Sequence, residues 1–422
     1  MDKPICIFED SGFKNFQPLT YTRPIYDLRC GIFTLKEKIL NYLKSSNVIL
    51  LTREYLADDQ KTKNPGQNVN KFPAELDNCI FINGRLLVDN NLADKIIALR
   101  TNQMLVSNNE IAAANLDKAQ LNKISNDFKE IENLVSSDGL SKIEIDATLV
   151  HYAWELVNNN GDEIRKDFNF LVHDKAEKLN GKIYNGTTFV NESKIFIGEN
   201  SKIKPGVILD AEEGPIYIGK DVTIFPNVVI EGPCYIGDGS KIKVGAKIYE
   251  NTSIGPVCKV GGEVEESIIH SYSNKQHDGF LGHAYLGSWV NLGADTNNSD
   301  LKNNYGNVKV FINDEQVDTG SKFVGLTMGD HSKCGINTMF NTGTVVGVSC
   351  NIYGGNFPPK YIPSFSWGGS EGFTTYKLDK SMAVAKKVMA RRDVQFNESD
   401  ENIFKTVFKL TQAERAKRQM PE

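Results

Sequence analysis

The chain is 422 residues long, 40% hydrophobic, 24% charged and 9% aromatic, which suits a globular protein of two or three domains. With 48 Lys+Arg against 53 Asp+Glu its net charge is −5, so no long-range positive field favours nucleic acid or an anionic membrane. Apolar runs such as Val48-Ile49-Leu50-Leu51 are far too short to cross a bilayer, the N-terminus shows no apolar signal core, and seven cysteines from Cys6 to Cys350 form no CxxC pair, so the expectation is a cytoplasmic protein with reduced thiols.

Residues 1–175 read as an α/β domain. Cys6-Ile7-Phe8, Val48-Ile49-Leu50-Leu51 and Cys79-Ile80-Phe81-Ile82 are short apolar runs of strand length. Ile32, Leu35, Ile39 and Leu43 form a helical stripe between the first two. Strand–helix–strand order predicts a Rossmann-like parallel sheet. The polar stretch Asn122 to Asp138 reads as helical or loose, and residues 141–175 finish the domain.

Residues 176–366 follow a six-residue clock. Aliphatic anchors fall at Ile218, Ile224, Ile230, Ile236, Ile242, Ile248, Ile254 and Val260. Ile197, Ile203 and Leu209 precede them; Leu286 and Leu292, then Met328, Cys334, Phe340, Val346 and Ile352 follow. Neither a helix nor an alternating strand has period six. A three-sided parallel β-coil does: anchors point inward, glycines turn the corners, and residues eighteen apart stack as neighbouring strands, Ile218, Ile236 and Ile254 among them. The clock breaks at Val264 to Asp278 and at Asn297 to Lys322, the latter polar and turn-rich and expected to loop out of the prism. Residues 367–422 read as a helical tail, with Asp379 to Arg392 as its helix.

Four of the six histidines, His270, His277, His283 and His331, lie in the coil. Successive hexads occupy different walls, so His277 and His283 do not converge on one ion and no metal site within one chain is assigned.

The run His277-Asp278-Gly279-Phe280-Leu281-Gly282, Leu286-Gly287, Val290-Asn291-Leu292-Gly293-Ala294-Asp295-Thr296 and Asn304-Tyr305 resembles the acetyltransferase half of the bifunctional GlmU family, with the pattern continuing into Met328-Gly329-Asp330. The resemblance implies a left-handed coil, a homotrimer with active sites shared between subunits, and acetyl-CoA-dependent N-acetylation of an amino-sugar phosphate, glucosamine 1-phosphate first. It makes His277 the general base: an ammonium has no lone pair, and a neutral imidazole takes its proton at cell pH. It places Asn291, Asn304, Tyr305 and Lys309 on the sugar and Ala294, Ile336 and Gly354 along the acyl-CoA. The sequence departs from the family at Phe280, where a tyrosine is usual, at Asp295 within the GAGT segment, and at Tyr249 and Ser267, where an arginine and a lysine grip the sugar phosphate. Lys275 is a candidate to supply that charge.

The same family carries an N-terminal sugar-phosphate nucleotidyltransferase domain, to which Pro18-Leu19-Thr20-Tyr21-Thr22-Arg23-Pro24-Ile25 and Trp154-Glu155-Leu156-Val157-Asn158-Asn159 are similar. Its glycine-rich phosphate loop is here Ile7-Phe8-Glu9-Asp10-Ser11-Gly12-Phe13, and its Mg²⁺-holding aspartate is here Arg85, in Phe81-Ile82-Asn83-Gly84-Arg85. The resemblance implies nucleotide contacts at Arg23, Arg29, Asn83, Gly84 and Asn159, and Mg²⁺ with a nucleoside triphosphate if the domain is active. Two other readings stay open on sequence: nucleotidyl transfer with an oligomerising coil, and a non-catalytic sugar-nucleotide-binding scaffold.

Overall fold

The computed structural model describes residues 3–124, 139–173 and 178–421. Most of the stretch Asn122 to Asp138 lies outside them.

The N-terminal sheet contains β1 (Ile5–Phe8), β2 (Val48–Leu51), β3 (Asn68–Val69), β4 (Asn78–Asn83), β5 (Gln103–Ser107), β6 (Glu110–Asp117) and β7 (Ser141–Glu144), ordered β3-β2-β1-β4-β6-β5-β7. Side chains alternate between its faces. Ile5 and Ile7 enter one core with Ile39 and Leu43, whereas Cys6 and Phe8 enter another with Phe81 and Met104. Helix α1 (Leu35–Leu43) starts at a capping box between Thr34 and Glu37; Ile32, expected on its stripe, precedes it. Helices α2 (Ala57–Lys63), α3 (Asn90–Ile97) and α4 (Ala153–Val172) complete the layer. The sheet is mixed rather than all parallel: β1 pairs parallel with β2 and β4, but β6 runs antiparallel between β4 and β5. The tight turn at Asn108-Asn109, both at positive φ, joins β5 to β6 as a hairpin, and a hairpin forces the antiparallel direction.

The hexads build a three-walled prism. The first wall runs through nine parallel strands from Ile195–Ile197 to Tyr361–Ile362. Ile218 pairs with Ile236 and Ile236 with Ile254, the stack expected from the spacing. The anchors form one core from Ile195 to Ile362. Each fully buried isoleucine contributes about 1.5–3 kcal/mol of transfer free energy, so the repeat alone supplies a continuous driving force.

At the first break the coil tightens instead of opening. Ser253 pairs with Ile268 and Lys259 with Asn274, a step of fifteen residues in place of eighteen. At the second, Asn297–Asn298 still pairs with Met339–Phe340 on the third wall, and the chain leaves the prism after them. It forms an antiparallel hairpin, Lys309–Ile312 with Glu315–Asp318, before rejoining the first wall at Thr327–Met328. Strand structure continues past residue 366 to Thr375, because Ser366–Gly369 joins the second wall and Gly372–Thr375 folds back on it. The tail holds three helices, α5 (Leu378–Ala390), α6 (Glu398–Leu410) and α7 (Gln412–Lys417).

The N-terminal domain and the tail cover the first wall. Asn160 of α4 donates to Asn251 O at 2.7 Å, Ser253 Oγ donates to Gly31 O at 2.9 Å, and Gly161 passes so close that a Cβ there would lie 1.8 Å from Asn251 Oδ1. Trp289, Val348 and Phe365 of the coil share a core with Met389, Ile403 and Phe404 of the tail. The edge between the second and third walls faces away from the wall that the N-terminal domain covers.

Candidate functional site

Two regions can carry chemistry. The first is that uncovered edge. His277 sits exposed in the turn between Asn274–Lys275 on the second wall and Phe280–Gly282 on the third. Its imidazole makes no hydrogen bond or ion pair among the described residues. The turn is held from beneath: Lys275 Nζ donates to His277 O at 2.6 Å and to Asp278 O at 3.2 Å. Burial pushes the Lys275 ammonium down to about 8, with the Asp278 and Asp295 carboxylates acting in the opposite direction. Gly279 closes the turn at φ +109°, where a Cβ would lie 2.2 Å from Thr296 O, so only glycine fits.

The next turns along the edge carry the other residues expected there. Asn337 N donates to Ala294 O at 2.7 Å, which stacks the turn of Ile336 on that of Ala294; Tyr353 and Gly354 follow. The Ala294 amide donates no hydrogen bond among the described residues. Val244, Ile336, Tyr353 and Phe357 are 62%, 69%, 48% and 52% exposed, an apolar stripe that a lone prism leaves wet.

His277, Ala294, Ile336 and Gly354 thus share one edge. Asn291 lies on the adjoining second wall, where its Oδ1 accepts from Asn274 Nδ2 at 3.3 Å. Asn304, Tyr305 and Lys309 belong to the projecting loop, which leaves from the third wall and returns to the first, so within one chain they sit on a different edge. Asn304 Oδ1 accepts from Gly306 N at 3.1 Å and Tyr305 is 67% exposed. Lys275 points into the corner and is occupied by backbone carbonyls, which leaves no free ammonium for a phosphate. His283 is elsewhere, 2.9 Å from Asp300 and stacked on Phe323.

The second region is a cavity of about 540 Å³ at the carboxyl ends of β1 and β4, where Phe8, Asp10, Gly12, Asn83 and Arg85 converge. The chain runs from β1 outward to β2 and β3, then returns to β4 on the other side, so this is the topological switch point where such sheets bind ligands. Arg85 Nε lies 2.8 and 3.0 Å from the two Asp10 oxygens, its Nη2 lies 2.9 Å from Glu110, and its Nη1 donates to Val150 O at 3.0 Å. Asn83 Nδ2 donates to Asp10 at 2.8 Å, and Gly84 N donates to Phe8 O at 2.8 Å beside it. His151 Nε2 is 3.1 Å from Glu110. Lys14 lines the cavity and forms no ion pair among the described residues.

Arg23, Arg29 and Asn159 do not line this cavity. Arg23 is ion-paired with Asp330 of the coil, whose Oδ2 also accepts from Thr22 Oγ1 at 2.8 Å. Arg29 is buried against Tyr235, and its amide donates to Tyr285 Oη at 2.8 Å. Asn159 donates back to Glu155 O at 2.7 Å along its own helix. The Pro18–Ile25 segment is used as a tie between domains, with Tyr21 Oη donating to Glu414 of the tail at 2.8 Å. Sequence reading missed several cavity residues: Lys14, Asn15, Asn109, Glu110 and His151 of the N-terminal domain, and Asn313 at the tip of the coil's hairpin. Asn313 and Asp314 make the hairpin turn at positive φ, as Asn and Asp readily do, but the flanking Lys309–Ile312 and Glu315–Asp318 do not alternate apolar with polar and so give no strand signal.

The profile of the sugar nucleotidyl transferase family matches residues 5–176, and that of the bacterial transferase hexapeptide (six repeats) matches residues 215–250. The bifunctional protein GlmU of Synechococcus sp. (strain CC9311) is 28% identical over 194 residues, 45% of this chain and 38% of that protein. The GlmU of Ruthia magnifica subsp. Calyptogena magnifica is 36% identical over 105 residues, 24% of this chain and 22% of its own length. The chain is GlmU-like. It matches well under half the length of these relatives. Among solved structures, the UDP-N-acetylglucosamine acyltransferase of Francisella novicida aligns at 16% identity and a TM-score of 0.30 over 57% of this chain and 86% of its own.

The GlmU-like comparison raises Mg²⁺ at the N-terminal cavity. The ion needs carboxylate oxygens about 2.0–2.1 Å away and an open octahedral shell. Arg85 fills the space between Asp10 and Glu110 with a guanidinium, and Asn159 is turned into its helix. The residues present do not fit the ion. Among the described residues no group of three His, Cys, Asp or Glu side chains is placed to hold a metal.

Proposed function

We propose that the GlmU-like chain is an acetyl-CoA-dependent N-acetyltransferase acting on an amino-sugar phosphate, with glucosamine 1-phosphate as the first substrate to test. The observation that carries this reading is the alignment of His277, Ala294, Ile336 and Gly354 along one uncovered, partly apolar edge. An apolar stripe of that kind suits a neighbouring prism, and a closed trimer brings the Asn304-Tyr305 loop of one copy toward His277 of the next.

Acetyl-CoA supplies a thioester carbonyl at that edge. His277 takes a proton from the amine as the carbon–nitrogen bond forms, and returns it to the thiolate as the carbon–sulfur bond breaks. The unused Ala294 amide supplies a donor for charge developing on the carbonyl oxygen. Asn291 and Asn304 hold sugar hydroxyls. Seven free, buried cysteines fit a reducing cytoplasm, where this substrate pair would be met.

Thiol release from acetyl-CoA in the presence of glucosamine 1-phosphate tests the reading. His277→Ala is expected to lower kcat about 100-fold or more, the typical contribution of a general base. Unchanged turnover in the variant removes His277 from the mechanism, and an inactive wild-type chain rejects the substrate. A second reading, that the N-terminal domain binds a sugar nucleotide, is favoured by the cavity's position at the sheet's switch point.

A further inference from the structure

The N-terminal cavity departs from a metal-dependent transferase in its charge. Nucleotidyl transfer joins a sugar-phosphate oxygen to the α-phosphorus of a nucleoside triphosphate while the α–β bond breaks and pyrophosphate leaves with the electron pair. The charge gathering on the leaving group needs a metal ion or several free cations. Here Asp10 and Glu110 face Arg85, whose guanidinium is committed to both carboxylates and to Val150 O. Lys14 is the remaining lysine or arginine lining the space. Two carboxylates against two cations leave no net positive field for a triphosphate.

Neutral donors are more plentiful. Asn15, Asn109 and Asn313 line the same cavity, and their side-chain amides make no hydrogen bonds among the described residues. Such amides bind phosphate and sugar oxygens without adding charge. Asn313 comes from the coil, so the second domain completes the site. The hairpin tip is also anchored, since Asp314 lies 3.1 Å from Arg418 and 3.3 Å from Lys417 of the tail.

We propose that this cavity binds a nucleoside-diphosphate sugar without a divalent cation and performs no nucleotidyl transfer, with Arg85 as a fixed cation in place of a metal site, Lys14 on the diphosphate and Asn313 contributed by the coil. The proposal rests on the reading of the cavity as a sugar-nucleotide site. Its test is calorimetric titration of the full chain with UDP-N-acetylglucosamine, first in chelator and then with excess Mg²⁺. The expected dissociation constants agree within about twofold, and Lys14→Ala, a surface substitution, weakens binding about tenfold in both buffers. UTP plus N-acetylglucosamine 1-phosphate with Mg²⁺ is expected to release no pyrophosphate. Binding that tightens about tenfold or more with Mg²⁺, pyrophosphate release, or binding indifferent to Lys14→Ala overturns the proposal while leaving the cavity a sugar-nucleotide site. No binding in either buffer overturns the cavity's assignment along with it.

Discussion

Lys275 shows how a single residue shapes the edge. Its ammonium lies inside the corner and spends two of its protons on the carbonyls of the turn that displays His277. Burial lowers its pKa from the ordinary 10.5 to about 8. Between those values the unfolded chain holds more protons than the folded one, so stability rises as pH climbs through the window. Urea unfolding at about pH 8 and about pH 10 should show that rise in the wild type and its loss in Lys275→Met. The sequence marked Lys275 as a free cation for phosphate, and its burial reverses that reading. The flanking pattern singles out His277 as a candidate, but nothing local in the sequence shows whether a lysine two positions earlier points outward or inward.

At the scale of elements, the prism was readable and the ties between domains were not. A strict period of six fits neither a helix nor an alternating strand, and the expected stack Ile218–Ile236–Ile254 is present. The hairpin at Lys309–Asp318 reads as loop because one of its strands, Glu315–Asp318, is polar and mostly exposed; its other side packs Val310 and Ile312 against Trp154 of α4. Asp330 looked like part of the hexapeptide pattern, yet its partners Thr22 and Arg23 lie some three hundred residues away in sequence, beyond any local signal. The pair is buried, so Asp330→Ala leaves a guanidinium without a counter-charge. A loss of about 3–5 kcal/mol is expected in chemical denaturation, with Asp330→Asn losing less.

The whole molecule is one assembly of sheet, prism and tail that meet along the first wall, and two histidines, His270 half-buried and His331 buried, lie at that junction. His270 Nε2 donates to Asp27 O at 2.8 Å, which fixes the neutral tautomer, and burial, reinforced by Arg23 and Arg29, holds its pKa well below the ordinary value. Burial pushes His331 down to about 3, with Lys333 acting in the same direction. Both groups pick up protons on unfolding once pH falls below about 6.5, so stability should decline by up to about 1.4 kcal/mol per pH unit for each histidine in the acid range. Urea midpoints measured from neutral to mildly acidic pH check the slope, and replacing His331 by Asn should flatten it.

The junction covers the first wall and leaves the opposite edge uncovered, and in the proposed function a second copy closes that edge and shares the catalytic site. The most direct measurement is complementation between two disabled chains, His277→Ala and Asn304→Ala, co-expressed and assayed for acetyl transfer to glucosamine 1-phosphate. His277→Ala alone should be about 100-fold or more below wild type and Asn304→Ala alone about tenfold or more, and the mixed oligomer should exceed the average of the two, because some of its shared sites pair an intact His277 with an intact Asn304. Mixed oligomers that assemble and stay as inactive as their parents would contradict a site built between subunits.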